Sequence, residues 1–454
     1  MYLSTARATD DAQGVERDRM RDSAAVRGVP ANVFALGAVS LLTDVSAEMV
    51  TAVLPIYVVV QLGLSPLAFG LLDGVYGGVT ALVRLVGGHA ADRGRRHKLV
   101  AGLGYGLSAA AKPVLLLAST VPAIAAVLAV DRTGKGLRTA PRDALISLSA
   151  RPGDQGRAFG VHRTMDTAGA LLGPLVAFGL LWAAADAYDA VFVVSGCIAV
   201  AGVLVLVLFV HRPPPDDGSA GEARTSGRMP ERTSMRTPGR TSMRAAFGLL
   251  RISAMRRICG CAALLGLVTI SDAFVFLLIQ KKLDLAPQWF PLLPLGTAAG
   301  FLALAMPLGL LADRVGRWPV FVGGHAALLG AYVLLLSPAG GTGMIVGVLV
   351  LHGVFYAATD GVLMAAAGPH LPAGLRASGL ALVQTGQATT RFVSSLAFGA
   401  AWTMWGMTPA ITIAAAALTA SAVVALVLRP GAGSDAGPGS DAAAGPVFAE
   451  ESSV

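Results

Sequence analysis

Apolar positions in this chain come in runs of about twenty residues, set apart by short polar turns. A run of that length crosses a hydrocarbon core of roughly 30 Å as a helix. The pattern predicts twelve spans, over residues 33–60, 66–90, 98–118, 122–145, 157–183, 189–210, 258–280, 288–312, 318–337, 342–366, 376–403 and 408–428. Glycine and proline recur inside them, which membrane helices tolerate because neighbouring groups re-satisfy the freed backbone. The expected fold class is an all-α polytopic membrane protein with twelve transmembrane helices.

Composition agrees. Of 454 residues, 54% are hydrophobic and only 14% charged, where a soluble chain carries roughly a quarter charged. The formal charge of +8 first suggests nucleic acid. Its distribution argues otherwise. "DRGRRHK", "RPGDQGR", a long basic linker, "DRVGR" and "AGLR" follow spans 2, 4, 6, 8 and 10, while the loops after spans 1, 3, 5, 9 and 11 hold no Lys or Arg. Lys281 and Lys282 after span 7 break the pattern. Even-numbered loops and both termini are therefore expected in the cytoplasm, with the chain in the cytoplasmic membrane and no nucleic-acid partner.

The expected organisation is a cytoplasmic tail over 1–30, a six-span bundle over 31–210, a linker over 211–250, a second six-span bundle over 251–429 and a tail over 430–454. The first stretch lacks the apolar core of a secretory signal. The linker is rich in Pro, Gly, Ser and Arg, repeats "RTSMR", and reads as a disordered tether, with phosphorylation or anionic-lipid binding as the alternative. Cys197, Cys259 and Cys261 suggest no disulfide framework and no metal site. "GKG" around Lys135 lacks the spacing of a phosphate-binding loop. With no nucleophile triad or nucleotide domain visible, neither an enzyme, a cofactor nor direct ATP drive is expected.

The two bundles echo each other. "GGHAADRGRR" follows span 2, with Gly88, Asp92 and Arg93, and "GLLADRVGR" follows span 8, with Gly309, Asp313 and Arg314. "RAFG" opens span 5 and "RASG" span 11, and "LLTD" ending at Asp44 is matched more weakly by "TISD" ending at Asp272. Two six-helix halves in the same order are a parallel repeat, which places a substrate site between them. The glycine, Asp-Arg and basic turn resemble the loop signature of the major facilitator superfamily; the second copy keeps Gly316 and Arg317, and Arg95 replaces a glycine in the first. Leu128, Arg132, Lys135, Gly136 and Ala140, with Gly169, Gly173 and Pro174, partly match two motifs of the superfamily's bacterial twelve-helix proton-coupled drug antiporters. Lys135 and Arg138, and at the second motif's end Ala177 and Phe178, depart from them.

Span 4 concentrates charge. At about 1.5 Å per residue from Pro122, Asp131 and Arg132 lie about 14–15 Å along it, Lys135 about 20 Å, and Arg142 and Asp143 about 30 Å. These and Arg138 fall in an arc of roughly 140°, opposite Val130, Gly134, Leu137 and Leu145. A lipid-facing charge at mid-helix costs about 2.5–3.5 kcal/mol, so the stripe is expected to face a wet cavity; a structural cluster joining Asp131 to Lys135 is the alternative. Pro141 is expected to end or kink the helix. Candidate partners for Arg132 at matching depth are Asp44, Asp166 and Asp131.

Asp44 and Glu48 share a face of span 1, where two carboxylates in low dielectric cannot both ionise cheaply, which suits a proton carrier; static pairing with Arg132 or Lys135 is the competing reading. The expected proton-coupling set is Asp44, Glu48, Asp131, Arg132 and Asp166. Lys135, Arg138, Asp272, His352, Tyr356, Asp360 and Arg391 are candidates for the substrate cavity, though Arg391 with Gln384 and Gln387 also suits interhelical bonding. Lys112 and His325 are the lone ionisable groups of spans 3 and 9, which lie on the outside in the superfamily. Gly88, Asp92, Arg93, Gly309, Asp313 and Arg314 resemble gating positions. Gly169, Gly173 and Pro174 suit close helix packing. The leading function is a secondary transporter, proton-coupled and exporting, whose partners are a small molecule, protons and the bilayer, acting as a monomer. The alternatives are a proton-coupled importer of an anionic metabolite and, further off, a membrane sensor or membrane-embedded enzyme.

Overall fold

The computed structural model describes residues 29–94, 97–151, 153–211, 248–371 and 376–428, which are helices joined by turns and short irregular links, with no strand among them. The tails, most of the linker, and the side chains of Gly88, Asp92 and Arg93 lie outside the described residues.

Helices stand where the apolar runs predict them. They are α1 (Ala31–Ile56, continued by a π turn to Gln61), α2 (Pro66–Gly94), α3 (His97–Val114), α4 (Val121–Ser149), α5 (Gln155–Ala183) and α6 (Tyr188–Phe209). Then follow α7 (Ser253–Val268), α8 (Asp272–Leu283), α9 (Leu293–Val315), α10 (Arg317–Leu336), α11 (Gly341–Ala367), α12 (Arg376–Trp405) and α13 (Met407–Val427). Nine spans among the described residues are long and apolar enough to cross a membrane. The other three expected spans are α2, α4 and α12; in α4 and α12 polar residues dilute the hydropathy.

Two expectations are corrected. Span 7 is broken into α7 and α8. Thr269 and Ser271 are extended, and the Thr269 hydroxyl donates back to the Leu265 carbonyl at 2.8 Å. Of the two outcomes expected of Pro141, an end or a kink, the end is not taken: α4 runs through it to Ser149. The carbonyl that proline leaves without a partner is tolerable inside a packed membrane bundle.

Lys281 and Lys282 occupy the last turn of α8, before the left-handed Asp284. Cations there suit the helix dipole, which accounts for two lysines in a loop otherwise lacking them.

The described chain falls into two compact units. One holds residues 29–211 with Ile270–Ala298 and Arg391–Ala410; the other holds 248–269, Ala299–Thr390 and 411–428. In the first unit, glycines let helices touch. A Cβ on Gly134 of α4 would stand 2.5 Å from the Gly104 carbonyl of α3. A Cβ on Gly169 of α5 would stand 2.5 Å from the Leu41 carbonyl of α1, and one on Gly173 would stand 2.8 Å from the Val45 carbonyl. Pro174 follows in the same helix. In the second unit α10 packs on α11, with Gly324 against Ala358 and Thr359.

Candidate functional site

α4 brings its charges to α1, α2, α3 and α5, and all six of them find an opposite charge. Deepest is Asp131. It accepts from Ser108 Oγ at 2.5 Å, Lys112 Nζ at 2.9 Å and Arg132 Nε at 2.9 Å, with a further bond from Arg132 Nη2. Asp131, Arg132 and Lys112 are buried to within a few per cent. The Arg132 guanidinium also lies 3.9 Å over the Tyr76 ring, and the Tyr76 hydroxyl meets Thr51.

Further along, Lys135 Nζ stands 4.0 Å from Glu48, with both side chains more than a quarter exposed. Arg138 reaches Asp44 at 3.4 Å and covers the Tyr105 ring at 4.5 Å. Arg142 meets Asp143 at 3.0 Å and Asp166 at 3.5 Å, and donates to Ser40 Oγ at 3.1 Å. His162 bonds the same Ser40 hydroxyl at 3.0 Å.

The stripe thus differs from a row of charges in a wet cavity. Asp131, Arg132 and Arg138 are buried among helices, because each has an oppositely charged or aromatic partner that offsets desolvation. Asp131 pairs with Lys112 on α3, and Lys135, one turn along, turns to Glu48. Arg132 takes its partner from its own helix, not from Asp44 or Asp166. Lys112 is drawn from an expected outer helix into the cluster.

Asp272 and Arg391 belong to the first unit, at the start of α8 and within α12. His352, Tyr356 and Asp360 belong to the second. There His352 is fully buried and stacks with Phe355, with ring centroids 6.2 Å apart, and Tyr356 meets it edge-on at 5.3 Å. Asp360 is exposed. After α9 the chain turns at Gly316, whose φ of 99° favours glycine. Asp313 stands 3.8 Å from Arg317, and Arg317 donates to the Ala365 carbonyl in the last turn of α11 at 2.6 Å. Gly309 lies in α9, and Arg314 is exposed in its last turn.

The sequence of this bundle matches a known family. The family model described as Major Facilitator Superfamily matches residues 36–395. The chain belongs to the Major Facilitator Superfamily. An MFS-type transporter of Methanocaldococcus jannaschii is 26% identical over 387 residues, 85% of this chain and 92% of that protein. A Mycobacterium tuberculosis protein is 34% identical over 187 residues, 40% of this chain and 45% of that one. Among solved structures, a variant of the nucleoside transporter NupG superposes with a TM-score of 0.74 at 15% identity, covering 88% of this chain and all of that one. The peptide transporter POT in complex with sulfate gives 0.69 at 16%, covering 89% and 95%. These structures share the fold. This MFS protein is therefore a multi-pass membrane transporter of the secondary kind and not an enzyme.

Sequence reasoning passed over Ser108, Tyr76 and Ser40. Lys112 did carry a readable signal: a lone cation in an apolar span must find an anion.

Proposed function

We propose that this MFS transporter couples export of a small molecule to protons entering through Asp44 and Glu48, acting as a monomer in the cytoplasmic membrane with both termini inside. The observation that carries the reading is the loose Glu48–Lys135 pair, 4.0 Å apart and partly exposed. A proton on Glu48 dissolves that attraction and frees Lys135; a proton on Asp44 does the same for Arg138, 3.4 Å away. Asp131, held by three side chains, is a fixed anion that positions Arg132. Asp166 links Arg142 to the same network. In the first unit Asp272 and Arg391, and in the second His352, Tyr356 and Asp360, are our candidates for substrate contact, and the turns after α2 and α9 for gating.

The importer of an anion is the second reading. It needs Lys135 and Arg138 available to the substrate, and both already face carboxylates. Partial likeness to the drug antiporters on α4 and α5 favours export. Flux of candidate compounds into proteoliposomes, with and without an imposed pH gradient, tests the reading. Transport indifferent to the gradient would remove the proton, and uptake along the gradient would reverse the direction.

A further inference from the structure

Across the middle of α1, from Thr43 to Val58, every residue is buried except Asp44, Glu48 and Thr51. These three stand at i, i+4 and i+7, on one face of the helix. Two carboxylates and a hydroxyl at mid-span do not suit lipid, so this face borders open polar volume. α4 places Lys135 there, more than a quarter exposed between the buried Gly134 and Gly136. All of these residues lie in the first unit.

The Glu48–Lys135 pair is the longest that α4 makes, and at 4.0 Å it is too long for a hydrogen bond. A hydroxyl stands one turn from Glu48. Thr51 Oγ1 donates to the Ala47 carbonyl at 2.9 Å, so the Tyr76 hydroxyl that meets it is the donor, and Thr51 keeps a lone pair for one further N–H. Arg132 is held by Asp131 and by the Tyr76 ring and does not compete for Glu48.

Such a pair favours one kind of ligand. An anion that draws Lys135 away leaves Glu48 without a cation, one turn from Asp44. A cation that draws Glu48 away leaves Lys135 between Arg132 and Arg138, three residues to either side. A zwitterion does neither, because each charge of the pair keeps a partner. In an α-amino acid the ammonium nitrogen and a carboxylate oxygen lie about 3 Å apart by standard bond lengths. That is close to the spacing of the pair, so the molecule fits antiparallel beside it.

We propose that Glu48, Thr51 and Lys135 form the head-group site for the cargo, and that the cargo is a small zwitterion of the amino-acid type. Its ammonium is shared by Glu48 and Thr51, and its carboxylate is held by Lys135. This rests on the reading of the chain as an exporter with Glu48 as a proton carrier, and adds the class of molecule carried. A proton on Glu48 removes the anion that holds the ammonium, so proton and cargo exclude each other, as antiport requires.

The test is equilibrium binding to the full chain in nanodiscs at pH 7 with no gradient. The probes are the twenty protein amino acids, each with its amide, which keeps only the ammonium, and its N-acetyl form, which keeps only the carboxylate. At least one amino acid is expected to bind, with its amide and N-acetyl forms each about tenfold or more weaker, the scale of one lost charge-assisted hydrogen bond. Lys135→Gln should erase the preference over the amide, and Glu48→Gln the preference over the N-acetyl form, with exchange surviving at saturating cargo. The wild-type panel decides where a variant does not fold. The proposal is overturned if no amino acid binds, if a singly charged form binds as tightly as its parent, or if both variants keep the wild-type preferences. Charge selectivity at fixed pH is independent of what drives flux, so its failure leaves the proton reading to the gradient assay.

Discussion

Replacing Lys112 by Met should cost far less than replacing Asp131 by Asn, although the two groups form one buried pair 2.9 Å apart. The asymmetry follows from the charges. Two cations, Lys112 and Arg132, share one carboxylate, and all three are buried. Lys112→Met leaves a neutral pair with Ser108 still donating, so the loss is that of one charge-assisted hydrogen bond, about 1.5–3 kcal/mol. Asp131→Asn strips the counter-charge from two buried cations at once, for which about 3–5 kcal/mol is the expected scale. The double variant should cost less than the sum, with a coupling of about 0.5–3 kcal/mol, since the groups touch. Unfolding of the purified single and double variants in detergent, followed by tryptophan fluorescence, measures all three. A Lys112→Met penalty equal to or above that of Asp131→Asn would refute the reasoning, and would mean that Lys112 bonds something other than Asp131.

Gly134→Ala should destabilise by about 1–3 kcal/mol, because the new Cβ meets the Gly104 carbonyl at 2.5 Å, whereas Gly160→Ala, with open space around it, should be neutral or gain up to about 1 kcal/mol. The same unfolding assay separates the two. Gly316→Ala should cost about 1–3 kcal/mol through its φ of 99° alone, and a smaller loss would show that the turn after α9 relaxes. Arg317→Ala should weaken the end of α11 by removing the donor to the Ala365 carbonyl, seen as faster hydrogen exchange in that last turn; unchanged exchange would deny the cap.

Hydropathy made most of the fold legible. The expected span over 122–145 and the observed Val121–Ser149 share a start, because Pro122 opens the helix after a polar turn. What hydropathy could not convey is tertiary. The break before α8 carries no Gly or Pro, and Thr269 and Ser271, the extended residues there, resemble any other polar pair in a span. The pairing of Asp131 was hidden likewise. Helical spacing offers Lys135 one turn away, yet Lys112, nineteen positions earlier on α3, takes the place because Gly104 and Gly134 bring the two helices together. On α2, Gly70 and Gly74 mark a close helix contact and not a lipid face. That the carboxylates of α1 would meet cations of α4 was readable from matching depth; which meets which, Asp44 with Arg138 and Glu48 with Lys135, needed the coordinates.

The central claim is that Asp44 and Glu48 carry the proton that drives transport. It is tested most directly by flux in proteoliposomes holding wild type, Asp44→Asn, Glu48→Gln or the double variant, under an imposed pH gradient and in a gradient-free exchange assay. The account predicts that each variant loses gradient-driven accumulation while keeping substrate exchange, since the neutral amides mimic a permanently protonated site. Full gradient-driven accumulation by the double variant would contradict it.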